Sequence, residues 1–211
     1  MIRHGFFTIA IVIGISALND ANAQELFAKV GTSISRLDWK PEQTYTDWYI
    51  GPYAKVGSTF RYRQNNHLSA EIGFIKKGGS EAVILRDDTG NEIGTKTINT
   101  AFNYFSLAAY YNRELIDTKF QLNVYGGPRI DYIFGYDDAF KSLESDLNPI
   151  QPGVDAGFNL TRTLGDLRLG LDVAYLLAIL PIAKWEASDI RPAGEIRDLT
   201  FSASVMVTYM L

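Results

Sequence analysis

The chain of 211 residues contains no cysteine, so it offers no disulfide framework, no thiolate metal site, no cysteine nucleophile and no lipid-bearing cysteine anchor. Histidine is nearly as scarce. Only His4 and His67 occur, which leaves most general-base and zinc chemistry without its usual residue. After residue 18 no apolar run approaches the roughly 20 residues of a membrane-spanning helix. A hydrophobic content of 46% with 21% charged residues also excludes disorder and rod-like repeats.

The first residues read as an address. Arg3 supplies a basic start, Phe6 to Leu18 an apolar stretch, and Ala21-Asn22-Ala23 a small-x-small cleavage pattern. A cleaved secretory signal over residues 1–23 is therefore expected, with a mature domain over 24–211. The protein should be exported.

Eighteen glycines and twelve each of Tyr and Phe are spread along the chain, which suits strands and turns. Apolar residues recur with period two in eight segments. They cover Leu26 to Ser35, Tyr49 to Tyr62, Leu68 to Phe74, Tyr104 to Asn112, Phe120 to Phe134, Gly153 to Leu160, Leu167 to Tyr175, and Leu199 to Leu211. No helix of consequence is expected. Connections alternate in length: short ones at Arg63 to Asn66, Glu114 to Thr118 and Arg162 to Asp166, and long ones at Arg36 to Trp48, Gly78 to Thr100, Gly135 to Ile150 and Pro181 to Arg197. Short turns at one end, long loops at the other and strands of about ten residues predict an all-β, eight-stranded, antiparallel up-and-down transmembrane β-barrel.

The content of the two faces favours membrane over soluble. One face is continuously apolar with aromatic tips such as Phe60, Tyr62, Phe74, Phe105, Tyr111, Tyr132, Phe134, Phe158, Tyr175 and Tyr209, as a lipid-facing wall with interfacial girdles would be. The other carries Lys29, Lys55, Arg61, Arg129 and Arg168 with Glu71, Asp131, Asp155 and Asp172. Nine charges do not suit a soluble core, whereas across a narrow lumen they can pair. This lumenal charge network is the candidate site, with Glu71 as its expected hub among Lys29, Lys55 and Arg61. Glycines 31, 57, 73, 127, 157 and 170 fall on the same face, where a narrow barrel needs room.

The segments KVGTSIS, LSAEIGFIKKGG, NYFSLAAYYNREL and LNVYGGPRIDYIFG, with the closing hydrophobic strand, span nearly all of the mature chain. In that order they resemble the PorT-like outer-membrane β-barrel family of Bacteroidota, with the Gly126-Gly127-Pro128 approach the most specific piece. Ser106, Ala108 and the final Leu211 depart from the family's usual pattern. The resemblance implies the barrel, and for some relatives a link to protein secretion across the outer membrane.

Catalysis is not expected. Some small outer-membrane barrels are rim enzymes acting on lipid or protein, but His67 belongs to a short periplasmic-side turn and cannot reach the external rim. Asp87, Asp88, Asn91 and Glu92 around Gly90 invite a calcium reading, yet the spacing fits a hairpin turn better. Trp39, Trp48 and Trp185 read as loop packing or interface anchors. Formal charges of −1, −2, −3 and 0 on the long connections disfavour nucleic acid. The expectation is therefore a barrel without cofactor or metal in the outer membrane of a Gram-negative-type cell, in contact with lipid and an envelope protein. A small-solute conduit is the alternative, and the sequence leaves oligomeric state open.

Overall fold

The structure, a computed structural model, describes residues 25–40, 44–87, 89–187 and 192–211. The expected signal segment, 1–23, lies outside them, as does Asp88. Ten strands follow in order: β1 (Glu25–Lys40), β2 (Thr44–Tyr45), β3 (Asp47–Arg63), β4 (Asn66–Arg86), β5 (Glu92–Asp117), β6 (Phe120–Tyr136), β7 (Ile150–Leu164), β8 (Leu167–Ala178), β9 (Ala183–Trp185) and β10 (Gly194–Met210). Each long strand pairs antiparallel with the next. The ring closes where β1 meets β10, from Glu25 opposite Met210 to Lys40 opposite Glu195. Eight staves form the wall, while β2 and β9 are short additions at the long-connection end. Among the described residues no helix is long and apolar enough to cross a membrane, so any crossing is made by strands.

Alternation along each stave decides which side chains meet lipid. On β1, Val30 is exposed outward while Phe27, Lys29, Ser33 and Ser35 are buried inward. The same rule turns Leu107, Ile130, Tyr132, Phe158, Leu171 and Val205 outward on other staves. Such exposure of large apolar groups would be costly in water and is favourable against hydrocarbon. Turns of two residues join β3 to β4, β5 to β6 and β7 to β8. In the last of these, Gly165 takes φ +66°, a conformation that glycine adopts without steric cost.

The expectations for all four long connections are corrected. Gly78 to Thr100 is not a loop: β4 and β5 run on, paired from Asn66 opposite Arg113 to Arg86 opposite Glu92, and only residues 87–91 turn. β-branched residues on both arms, Val83 and Ile84 against Thr95 and Thr97, continue the strand pattern past the barrel wall. Gly135 to Ile150 holds a 3-10 helix, Asp138–Asp146, where irregular chain was expected. Most of Arg36 to Trp48 and part of Pro181 to Arg197 are likewise strand.

A ring of this kind has no unpaired edge within the membrane, so detergent alone should not open it. The purified protein should migrate faster in detergent gels before boiling than after. Identical mobility in both lanes, or recovery as a soluble periplasmic species, would contradict the closed barrel.

Candidate functional site

The lumen is built from the inward residues of eight staves, and its width leaves space for side chains but not for a water column. Glycine makes part of that room. A Cβ added at Gly157 would stand 2.7 Å from the Tyr125 hydroxyl oxygen, so the ring can fill the bore only because residue 157 has no side chain.

Inside, charges form one alternating chain. Asp172 meets Lys29 at 3.2 Å, and Lys29 meets Glu71 at 2.6 Å. Glu71 reaches Lys55 at 3.4 Å, and Lys55 lies 3.9 Å from Asp155. Asp155 pairs with Arg129, whose Nε is 2.9 Å from Asp131. Asp131 receives Lys77 at 2.7 Å, and Lys77 ends the series 3.3 Å from Asp198. All nine are buried. Tyrosines brace the series: Lys55 donates to the Tyr110 hydroxyl (3.2 Å), Tyr110 to Asp155 (2.5 Å) and Tyr125 to Asp172 (3.1 Å). Tyr110 and Tyr125 also pack ring to ring at 5.0 Å, in a cluster with Tyr53, Ile75 and Leu176.

Of the residues singled out by sequence, Lys29, Lys55, Glu71, Arg129, Asp131, Asp155 and Asp172 lie in this chain. Arg168 does not: it pairs with Glu25 near the short-turn mouth. The backbone of Arg61 is opposite His67, and its side chain lies outside the described residues. Lys77 and Asp198 are additions, each in phase with the inward residues of its strand but just beyond the strand ends expected at Phe74 and Leu199. His67 belongs to β4 rather than a turn. It points into the mouth, with Nε2 3.5 Å from Glu114 and Gln121 donating to the same carboxylate at 2.7 Å.

The two ends of the bore differ. At the short-turn end a polar recess opens between Glu25, His67, Asn112, Gln121, Asn123 and Arg168. At the other end an apolar cap closes the lumen. Phe140 and Leu143, three apart on the 3-10 helix and so on one face, pack against Leu37, Phe102, Tyr104, Ile133, Ile182 and Ile196. Trp39 stacks on Phe140 at 6.2 Å and Phe102 meets the same ring at 4.2 Å. Backbone bonds stitch the cap, from Asn148 N–H to Ile182 C=O (2.8 Å) and from Ile182 N–H to Ile196 C=O (2.7 Å).

Trp48 is separate, on the outer wall beside Phe201 with Arg36 over its ring. At the hairpin tip Asp87 accepts bonds from the Thr89 hydroxyl and the Asn91 and Thr89 amides. The Thr89 hydroxyl and the Asn91 amide hold its carboxyl below the usual carboxylate range. That is a self-contained turn, and no group of His, Cys, Asp and Glu suited to a metal occurs among the described residues.

Comparison with known proteins gives a family model described as "Outer membrane protein beta-barrel domain", matching residues 19–184. No curated protein sequence matches the chain. Among solved structures, Neisserial surface protein A is similar at 7% identity and TM-score 0.47, over 88% of this chain and 97% of that one. The attachment invasion locus protein Ail of Yersinia pestis, in complex with the heparin analogue sucrose octasulfate, is similar at 12% identity and TM-score 0.41, over 87% and 99%. The outer membrane protease OmpT of Escherichia coli is similar at 10% identity and TM-score 0.44, over 91% and 98%.

Glu71 sits between two buried lysines, so Glu71→Ala leaves Lys29 with Asp172 alone and Lys55 with the more distant Asp155 alone. The expected loss of stability is about 3–5 kcal/mol, read from the urea midpoint of barrel unfolding in micelles. Glu71→Gln, which retains an acceptor, should lose less; an unchanged midpoint for both would place Glu71 in water. For the cap, Phe140→Ala removes the ring shared by Trp39 and Phe102. Added protease should then cut within 138–146 several times faster while heat-modifiable mobility persists, and equal cleavage rates would show that the cap does not hold that segment.

Proposed function

Because the chain belongs to the outer membrane protein beta-barrel domain family, we propose that it is a non-enzymatic, non-conducting scaffold that holds an envelope protein partner through its external hairpin. The observation that supports this reading most is the contrast between a filled lumen and the hairpin formed by β4 and β5 beyond the wall. The nine-charge chain and the apolar cap occupy the route a solute would need, which ranks the conduit reading lower. The rim enzyme also ranks lower, since His67 is at the short-turn mouth and the external end carries packed aromatics.

The hairpin has what a binding element needs. β3 leaves β4 at Ser80 and β6 leaves β5 at Phe102, with Asp137 still bonded to Ala101, so residues 81–86 and 92–100 each have a strand neighbour on one side only. Ile84, Leu85, Ile93 and Ile98 are exposed on it. Backbone edges and apolar side chains presented together suit an extended polypeptide partner. An accessory role in protein secretion, as the PorT-like resemblance implies, is compatible with such a partner.

Replacing residues 81–99 with a tight turn should leave heat-modifiable mobility unchanged, because the removed strands touch none of the lumenal chain, and should abolish crosslinking to the partner in native envelopes. Retained crosslinks in the shortened protein would overturn the hairpin assignment. Steady, ion-selective currents from the purified wild-type barrel in planar bilayers would overturn the non-conducting one.

A further inference from the structure

The short-turn end of the outer wall carries a second polar feature, unrelated to the lumen. The turn between β3 and β4 and the adjoining part of β5 enclose an open pocket lined by Arg63, Gln64, Asn65, Asn66, Tyr111 and Arg113. Two guanidiniums, three carboxamides and a phenol line it, with no carboxylate among the described residues. Tyr111 donates its hydroxyl to Asn66 Oδ1 at 2.6 Å, which fixes the amide and turns its N–H groups to other acceptors. Both arginines are exposed. The neighbouring turns at this end add Lys119 and Arg162, the latter 5.7 Å from the Phe120 ring centroid.

Directly above the pocket the lipid-facing wall changes in relief. Leu68 pairs with Phe60 and Tyr111 in one bulky row, and Ile72 with Val56 and Leu107 in another. Between them Ala70 pairs with Ser58 and Ala109, a row of small side chains. The donor-rich pocket thus lies on the same staves as a shallow apolar depression, one bulky row away from it.

We propose that this pocket binds the phosphate of a phospholipid in the periplasmic leaflet, with one acyl chain lying over the exposed Ala70 and Ala109. Arginine forks match phosphate oxygens in two-point contacts, and carboxamide N–H groups can take the remaining oxygens. The absence of carboxylates from the lining favours an anion over a cationic or zwitterionic amine. The depression distinguishes a lipid from a free phosphate, since only a lipid has a chain that can pack into it.

The test is native mass spectrometry of the full barrel released from detergent micelles, after addition of phosphatidylglycerol, of diacylglycerol with the same chains, or of inorganic phosphate. Phosphatidylglycerol should stay bound at one per barrel, diacylglycerol should not, and millimolar inorganic phosphate should displace little. In the double variant Arg63→Ala/Arg113→Ala the retained fraction should fall about tenfold, whereas Arg162→Ala, outside the pocket, should retain lipid as wild type does. Equal retention of diacylglycerol, unchanged retention in the double variant, or full displacement by inorganic phosphate would each overturn the proposal. Should the double variant fail the heat-mobility check, the wild-type comparison of phosphatidylglycerol with diacylglycerol decides alone.

Discussion

The charges inside this barrel answer to one constraint: eight staves enclose a bore too narrow for bulk water, so an inward ion must find its counter-charge on another side chain. A lone buried ion would be prohibitively costly, and a lone buried pair only breaks even. The chain from Asp172 to Asp198 meets the constraint by sharing. Lys29, Lys55, Arg129 and Lys77 each stand between two carboxylates, and Glu71, Asp155 and Asp131 each stand between two cations. Such a series specifies register strongly. A slip of one residue on a stave that carries one of these charges would turn it to the lipid face and take a counter-charge from its partners on other staves.

The same constraint explains how the ends differ. Polar satisfaction by side chains continues up to Lys77 and Asp198, where the wall begins to give way to connections. Beyond them the bore is closed by apolar packing of Phe140 and Leu143 against Phe102, Tyr104 and Ile133. That packing needs a segment long enough to fold back over the opening, which the 3-10 helix and β9 supply. At the short-turn end the connections of two residues have no such reach, and polar residues there face a recess open to water.

Period two in the sequence was enough to read the architecture, because each stave buries one face and exposes the other without interruption. The inward placement of Lys29, Lys55 and Glu71 could be read from the same alternation. What could not be read was where a stave ends. Gly78 and Gly79 look like a turn, yet in β4 they lie in a ladder that continues to Arg86, since pairing of the backbone needs no side chain. Lys77 and Asp198 were missed for that reason, although each is in phase with its strand. Phe140 and Leu143 left a fainter signal, an apolar pair three apart within an acidic stretch, and their partners come from five distant segments. Arg168 shows the limit of alternation: phase assigns it a face, but its partner Glu25 is the first residue of β1, and only closure of the ring brings the two together.

Rigidity inside and exposure outside are linked through the hairpin. β4 and β5 leave the membrane already in register, because Glu71 on one and Tyr110 on the other are tied into the lumenal chain. The extension therefore needs no packing partner of its own to set its pairing; it inherits alignment from the wall. An isolated two-stranded ribbon is marginal in water, but one anchored by a closed ring has already met the entropic cost of bringing its arms together. Its outer edges remain unpaired, so the barrel can hold strand-forming surface in place without consuming it. A rigid base with an unsatisfied, preorganised edge is what distinguishes a binding scaffold from a barrel whose purpose lies in its lumen.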